Sequence, residues 1–108
     1  MKITVQFLGN IRETTGTREQ TFEIPEPTMQ ALIDRMSKEY GEDFKRALIH
    51  ARTEKVSSSV VIALNGVDIE ALEGVKTNLK EGDIVSIFPP VAGGSDIRGE
   101  LLLGKWYY

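Results

Sequence analysis

The sequence predicts an α+β fold: a mixed β-sheet with one main helix across one face and a second short helix. Three observations predict it. Two alternating strand patterns open the chain, an amphipathic helical stretch follows from residue 29, and two short β-branched runs come after it at 60–64 and 84–88. A helix that crosses between an N-terminal hairpin and later strands requires a sheet with both parallel and antiparallel pairs.

Residues 2–8, "KITVQFL", place Ile3, Val5 and Phe7 on one face and Lys2, Thr4 and Gln6 on the other, the alternation of a half-buried strand. Gly9-Asn10 ends it, and Gly16 marks a second turn. "REQTFEI" alternates again with Phe22 and Ile24 inward, until Pro25 and Pro27 stop it. The two strands read as a hairpin joined by a short connector. Thr28 is placed to cap a helix in which Met29, Leu32, Ile33, Met36 and Tyr40 share a face, with Gly41 at its C-terminal end. The methionines read as core filler. A weaker helical segment covers 42–54, with Phe44, Leu48 and Ala51 on one side, and "SSS" at 57–59 is a polar break.

"VVIAL" at 60–64 suits a central strand buried on both faces. Asn65-Gly66 is a strong hairpin signal, and "VDIEAL" after it is a brief edge element. Leu79 to Asp83 turns into the last core strand, "IVSIF", at 84–88. The first and last strands are expected to be parallel neighbours at the centre of the sheet. That arrangement is the β-grasp, the ubiquitin-like roll.

Composition narrows the function classes. The 108 residues fit one domain, and 41% hydrophobic with 27% charged residues is ordinary for a soluble globular protein. No run approaches the ~20 apolar residues of a membrane span, and the first residues begin a strand pattern directly, so a cytoplasmic protein without a membrane partner is expected. Net charge is −3 with the 13 bases scattered, which argues against a nucleic-acid surface. With no cysteine and one histidine, His50, the chain offers no disulfide, thiolate zinc site or catalytic thiol. His50 has no motif around it and reads as a surface helix residue. Gly9, Gly16, Gly74 and Gly82 read as isolated turn glycines without nucleotide-binding spacing.

The informative segment is the exit from the last strand, "FPPVAGG" at 88–94. Pro89-Pro90 ends strand pairing and favours an extended, projecting chain. Gly93 and Gly94 lack Cβ atoms and pass where any side chain would collide. Val91 to Gly94 spans up to roughly 13 Å when extended. A stiff base with a narrow tip suits insertion into another protein's active-site channel. The same dipeptides also read as ordinary loop punctuation between a core and a terminal strand.

"IFPPVAGG" after "LKEGDIVS" resembles the C-terminal signature of the molybdopterin-synthase small subunit and related ubiquitin-like sulfur carriers. "VQFLGNIRETTG" resembles that family's first strand and following turn, and "VVIALNG" its central strand. The resemblance covers residues 1–94, a carrier domain, and leaves 95–108 as an extension. It implies a mechanism. The terminal glycine carboxylate attacks the α-phosphate of ATP inside a ubiquitin-activating-type adenylyltransferase, and the acyl-adenylate becomes a thiocarboxylate. The tip then enters the large subunit of molybdopterin synthase, where its sulfur builds a pterin dithiolene. The carrier binds no cofactor itself, the activating partner uses ATP, and catalysis belongs to the partners. A thiamine-pathway carrier shares the fold and the diglycine, but the "FPPVAGG" ending and the segment at 42–54 favour the molybdopterin branch.

Carried onto this chain, the resemblance makes Gly94 the thiocarboxylate position and Gly93 the source of clearance. Phe88, Pro89, Pro90, Val91 and Ala92 orient the stalk and meet the partner. Leu8 and Arg12 match the family's first-strand end and arginine, and are candidates for the docking surface; an ordinary strand-end residue and a solvated charge are the competing readings. Family members typically end at the second glycine, whereas here Ser95 follows and the Gly94 carbonyl is an amide. The extension reads as a pro-segment removed by a peptidase between Gly94 and Ser95, as a permanent part of a non-covalent binding module, or as an artefactual addition. Leu101, Leu102, Leu103, Trp106, Tyr107 and Tyr108 make it apolar and aromatic, so it is expected to pack somewhere, against a sheet edge or in a partner groove. A protein modifier conjugated to lysines would use the same tip.

Overall fold

The computed structural model describes residues 1–50, 52, 53 and 55–90. Strand β1 (Lys2–Phe7) is followed by helix α1 (Asn10–Thr15), strand β2 (Glu19–Glu23) and helices α2 (Met29–Tyr40) and α3 (Glu42–Leu48). Strands β3 (Val61–Leu64), β4 (Val67–Asp68) and β5 (Ile84–Phe88) complete the sheet, with 3₁₀ turns at Ile69–Ala71 and Gly74–Lys76 between the last two. The order across the sheet is β2-β1-β5-β3-β4.

β5 lies parallel to β1, with Thr4 opposite Ile84 and Phe7 opposite Ile87, and antiparallel to β3, with Val61 opposite Phe88. The last strand of the described chain therefore occupies the middle of the sheet, as expected for a β-grasp. The alternation in β1 holds residue by residue: Ile3, Val5 and Phe7 are fully buried against the helical layer, while Lys2, Thr4 and Gln6 are not. Val85 and Ile87 of β5, Ile62 of β3 and Met29, Leu32, Ile33 and Met36 of α2 join the same core. Burying a side chain of this size contributes roughly 1.5–3 kcal/mol, so this one cluster dominates the stability.

The capping signals act as expected. Thr28 Oγ1 accepts from the Ala31 amide at 3.2 Å, which satisfies one of the orphan donors of α2. The Gly41 amide bonds back to the Ser37 carbonyl at 2.8 Å. Asn65 and Gly66 both adopt positive φ, 49° and 88°, the pair a type I′ hairpin turn requires. Asn65 also ties that turn to β5: its Oδ1 accepts from the Ile84 amide at 2.9 Å and its Nδ2 donates to Asp83 at 3.0 Å.

Three details differ from the sequence reading. The connector of the first hairpin contains α1, whose six residues bury one apolar side chain, Ile11, too few to give a helical period. The second helical segment stops at Leu48 rather than running to 54, because Ile49 turns to an extended conformation and bridges Val56. The Ser57 amide reaches the Leu48 carbonyl at 2.7 Å and the His50 amide reaches that of Lys55 at 2.8 Å, so the backbone groups that would extend α3 are used by a folded-back loop. Ala51 lies outside the described residues. His50 is exposed, as expected, but sits in this loop and not on a helix.

Tyr40 joins the end of α2 to the sheet. Its ring meets Phe7 and Phe22 edge-on, at 5.6 and 6.1 Å between centroids, and lies 5.1 Å from Phe44 of α3. Its hydroxyl donates to Gln20 Oε1 at 2.8 Å. Burial, helped by the Glu39 carboxylate and opposed by Arg35, holds its proton more tightly than in an ordinary tyrosine. A Tyr40→Phe variant should lose about 1 kcal/mol in urea unfolding, and Tyr40→Ala roughly 3 kcal/mol. Since the phenol pKa is raised in the folded state, the Tyr40 contribution should be complete below about pH 10 and decline above it. Tyr40→Phe should remove that part of the alkaline slope.

Candidate functional site

The site is the place where the chain leaves the sheet after β5. Phe88 is the last residue of the strand, Pro89 is half-buried and Pro90 is exposed. Proline cannot donate to a ladder, so pairing ends there even though β5 has a neighbour on each side. Val91, Ala92, Gly93, Gly94 and Ser95 lie outside the described residues, as does the 95–108 extension.

Because β5 is central, the exit is framed by two strands. On one side the Leu8 amide donates to the Ile87 carbonyl at 3.0 Å, continuing the parallel ladder one residue beyond β1. On the other side Val61 pairs with Phe88. These residues build a second apolar cluster, distinct from the main core: Leu8, Val61, Ala63 and Phe88, at 7%, 5%, 0% and 3% exposure. Side-chain alternation puts them on the sheet face opposite the one that α2 packs against. Leu8 is thus a packed neighbour of Phe88 and not a free strand-end residue. Phe88 itself anchors the base of the stalk from inside the fold.

The same face turns polar toward β2. Thr4 and Thr21 hydroxyls lie 3.3 Å apart, Gln6 Nε2 donates to Glu19 at 3.4 Å, and the buried Ser86 hydroxyl donates to Gln6 Oε1 at 3.3 Å. Apolar side chains thus collect on the half of the sheet from which the stalk departs. A groove of about 410 Å³ runs beside the stalk base, with Val60, Val61, Lys55, Glu70 and Pro90 among its walls.

Arg12 is exposed on α1, three residues after Gly9. Its backbone is committed among the described residues: its amide bonds to the Gly9 carbonyl at 3.2 Å, and its carbonyl accepts from Gly16 at 2.8 Å. Sequence reading passed over two contributors, Gly9 and the pair Val61 and Ala63. Gly9 looks like a turn glycine, yet a Cβ at this position would run into the Pro89 ring. The parallel register places it there, since the residues that follow β1 must lie beside those that follow β5. Among the described residues no group of three or more His, Cys, Asp or Glu side chains is arranged to hold a metal ion. The arrangement supplies a rigid, centrally rooted support for the segment beyond Pro90.

Comparison with known proteins agrees with this architecture. The small archaeal modifier protein 3 of Haloferax volcanii is 30% identical over 95 residues, taking in 87% of this chain and all of that protein. The molybdopterin synthase sulfur carrier subunit of Chlamydomonas reinhardtii is 32% identical over 96 residues, again 87% of this chain and all of that protein. Among solved structures, the small archaeal modifier protein 1 of Methanosarcina acetivorans superimposes with a TM-score of 0.70 at 30% identity, over 86% of this chain and 96% of that one. The model of the ThiS family matches residues 5–94, from the first strand to the second glycine of the tip. The chain, a ubiquitin-like β-grasp with an extension after its diglycine, belongs to the ThiS family.

Proposed function

We propose that this chain is a cytoplasmic sulfur carrier for molybdopterin or tungstopterin synthesis, made as a precursor from which a peptidase removes residues 95–108. The observation that carries this reading is the coincidence of two endpoints. The family match stops at Gly94, the residue at which the diglycine tip is complete. Hydrolysis of the Gly94–Ser95 bond would free a carboxylate. That carboxylate attacks the α-phosphate of ATP in a ubiquitin-activating-type adenylyltransferase, with pyrophosphate as the leaving group. A sulfide-level sulfur supplied by a partner sulfur donor then displaces AMP from the acyl carbon to give the thiocarboxylate. In the large synthase subunit the thiocarboxylate passes its sulfur to the pterin precursor, and water restores the Gly94 carboxylate. The carrier contributes positioning: β5 roots the stalk, Pro89 and Pro90 stiffen it, and Gly93 keeps the tip narrow. Catalysis lies with the partners, and Leu8, Phe88 and Arg12 mark the side from which they approach.

Purified chain ending at Gly94 should exchange labelled pyrophosphate into ATP with its adenylyltransferase, while the chain retaining 95–108 should not. Equal exchange by both forms would contradict the precursor reading. Gly94→Ala, which adds a Cβ at the reacting end, should slow exchange by about tenfold or more through misplacement of the carboxylate.

A second reading is favoured by the resemblance to archaeal modifier proteins over nearly their whole lengths: the same activated Gly94 would be transferred to lysine amines of other proteins. In that case cells should contain higher-mass covalent conjugates of this chain that disappear when Gly94 is deleted. Cells that carry thiocarboxylate on the chain and no such conjugates would decide for sulfur transfer.

A further inference from the structure

Gly9 ends the first strand in a backbone conformation of φ 60° and ψ −141°, close to a region occupied almost only by glycine. Conformation is half of the constraint. A Cβ built on Gly9 would lie 2.9 Å from both Cγ and Cδ of Pro89, a separation real Cβ atoms essentially never show. Gly16, Gly41, Gly74 and Gly82 also have positive φ, but a Cβ on any of them would meet nothing within 4 Å. Those four serve turns. Gly9 additionally provides room, and the group that uses the room is the first residue of the stalk.

We propose that Gly9 is a positioning residue: it is the seat on which the Pro89 ring rests, and it sets the direction in which the C-terminal tip leaves the sheet. A flexible side chain could rotate away from an intruding methyl group, but the pyrrolidine ring is closed onto its own backbone and fixes φ. Relief therefore has to come from the backbone at Pro89. On the upstream side that backbone is held. Phe88 is paired with Val61 and packed against Leu8, and the Leu8 amide holds the Ile87 carbonyl. The remaining freedom is a swing of the chain beyond Pro89. Gly94 follows five residues later, so a small rotation at the seat acts through a lever of up to roughly 16 Å of extended chain. The functional consequence rests on the carrier reading above; the seat itself does not.

The chain has no cysteine, so introduced thiols label cleanly. Spin labels on Lys38→Cys, exposed on α2, and on Val91→Cys of the full chain would report the separation of stalk and body. Gly9→Ala should displace the mean 38–91 distance beyond the width seen without it. Adding Pro89→Ala, which deletes the two atoms that Gly9 approaches, should bring the effect of Gly9→Ala close to zero. An unchanged distance in Gly9→Ala overturns the seat, and so does an equal shift in both backgrounds. Should Gly9→Ala fail to fold alone, recovery of a cooperative urea transition in the double variant supports the proposal, and failure of both overturns it. In the processed carrier, Gly9→Ala should lower kcat for adenylation by about tenfold or more with KM within about twofold, because docking is kept and alignment is lost. Unchanged kcat in a folded Gly9→Ala variant whose distance has shifted would sever the seat from function. No adenylation of the unsubstituted processed carrier would count against the carrier reading and leave the seat standing.

Discussion

The parallel pairing of β1 with β5 is the constraint on which the rest of the structure depends. It joins residues some 80 positions apart, Thr4 to Ile84 and Phe7 to Ile87, and places the last core strand at the centre of the sheet. Without it, β1 keeps only its hairpin partner and β3 only the two-residue edge strand β4. The helical layer would also lose part of the floor it packs on, since Val85 and Ile87 sit among Ile3, Val5, Phe7 and the buried face of α2. A contact this distant in sequence is entropically slow to close, yet it roots the C-terminal stalk in the central strand of the sheet. A tip that must reach a buried reaction centre in a partner benefits from such a root, because loose ends lose alignment before they lose affinity.

The two faces of the sheet have separate roles. The face under α2 is closed by large side chains and an aromatic group around Tyr40, which joins α2 and α3 to β1 and β2. The opposite face grades from polar at β2 to apolar at the stalk base, where Leu8, Val61, Ala63 and Phe88 gather. The reacting atom proposed here is a backbone carbonyl carbon beyond the end of the sheet. The protein therefore has to supply geometry in place of an acid, a base or a nucleophile, and the features that matter are register, a rigid diproline and one glycine.

Much of this was legible in the sequence because it is written in short-range patterns. The alternation of Ile3, Val5 and Phe7, the Thr28 cap, the Asn65-Gly66 turn and the run at 84–88 each specify a local conformation, and their order leaves few topologies. The elements that escaped are set by tertiary contacts. α1 has one buried residue and no period to detect, and α3 ends at Leu48 because a returning loop takes its carbonyl. Leu8 and Gly9 follow the same logic at the site: the burial of one and the lack of room for a Cβ on the other beside Pro89 arise only once β5 lies alongside β1. The diglycine tip and its blocked carbonyl were readable directly, since they are statements about covalent structure.

The intact mass of this protein isolated from its own cells reports directly whether the Gly94–Ser95 bond is cut and whether sulfur is loaded. Precursor processing predicts a chain that ends at Gly94, has lost Trp106 with the rest of 95–108, and carries in part the mass increment of one sulfur in place of one carboxylate oxygen. A population that retains Trp106 throughout, with Gly94 still in amide linkage to Ser95, would contradict it.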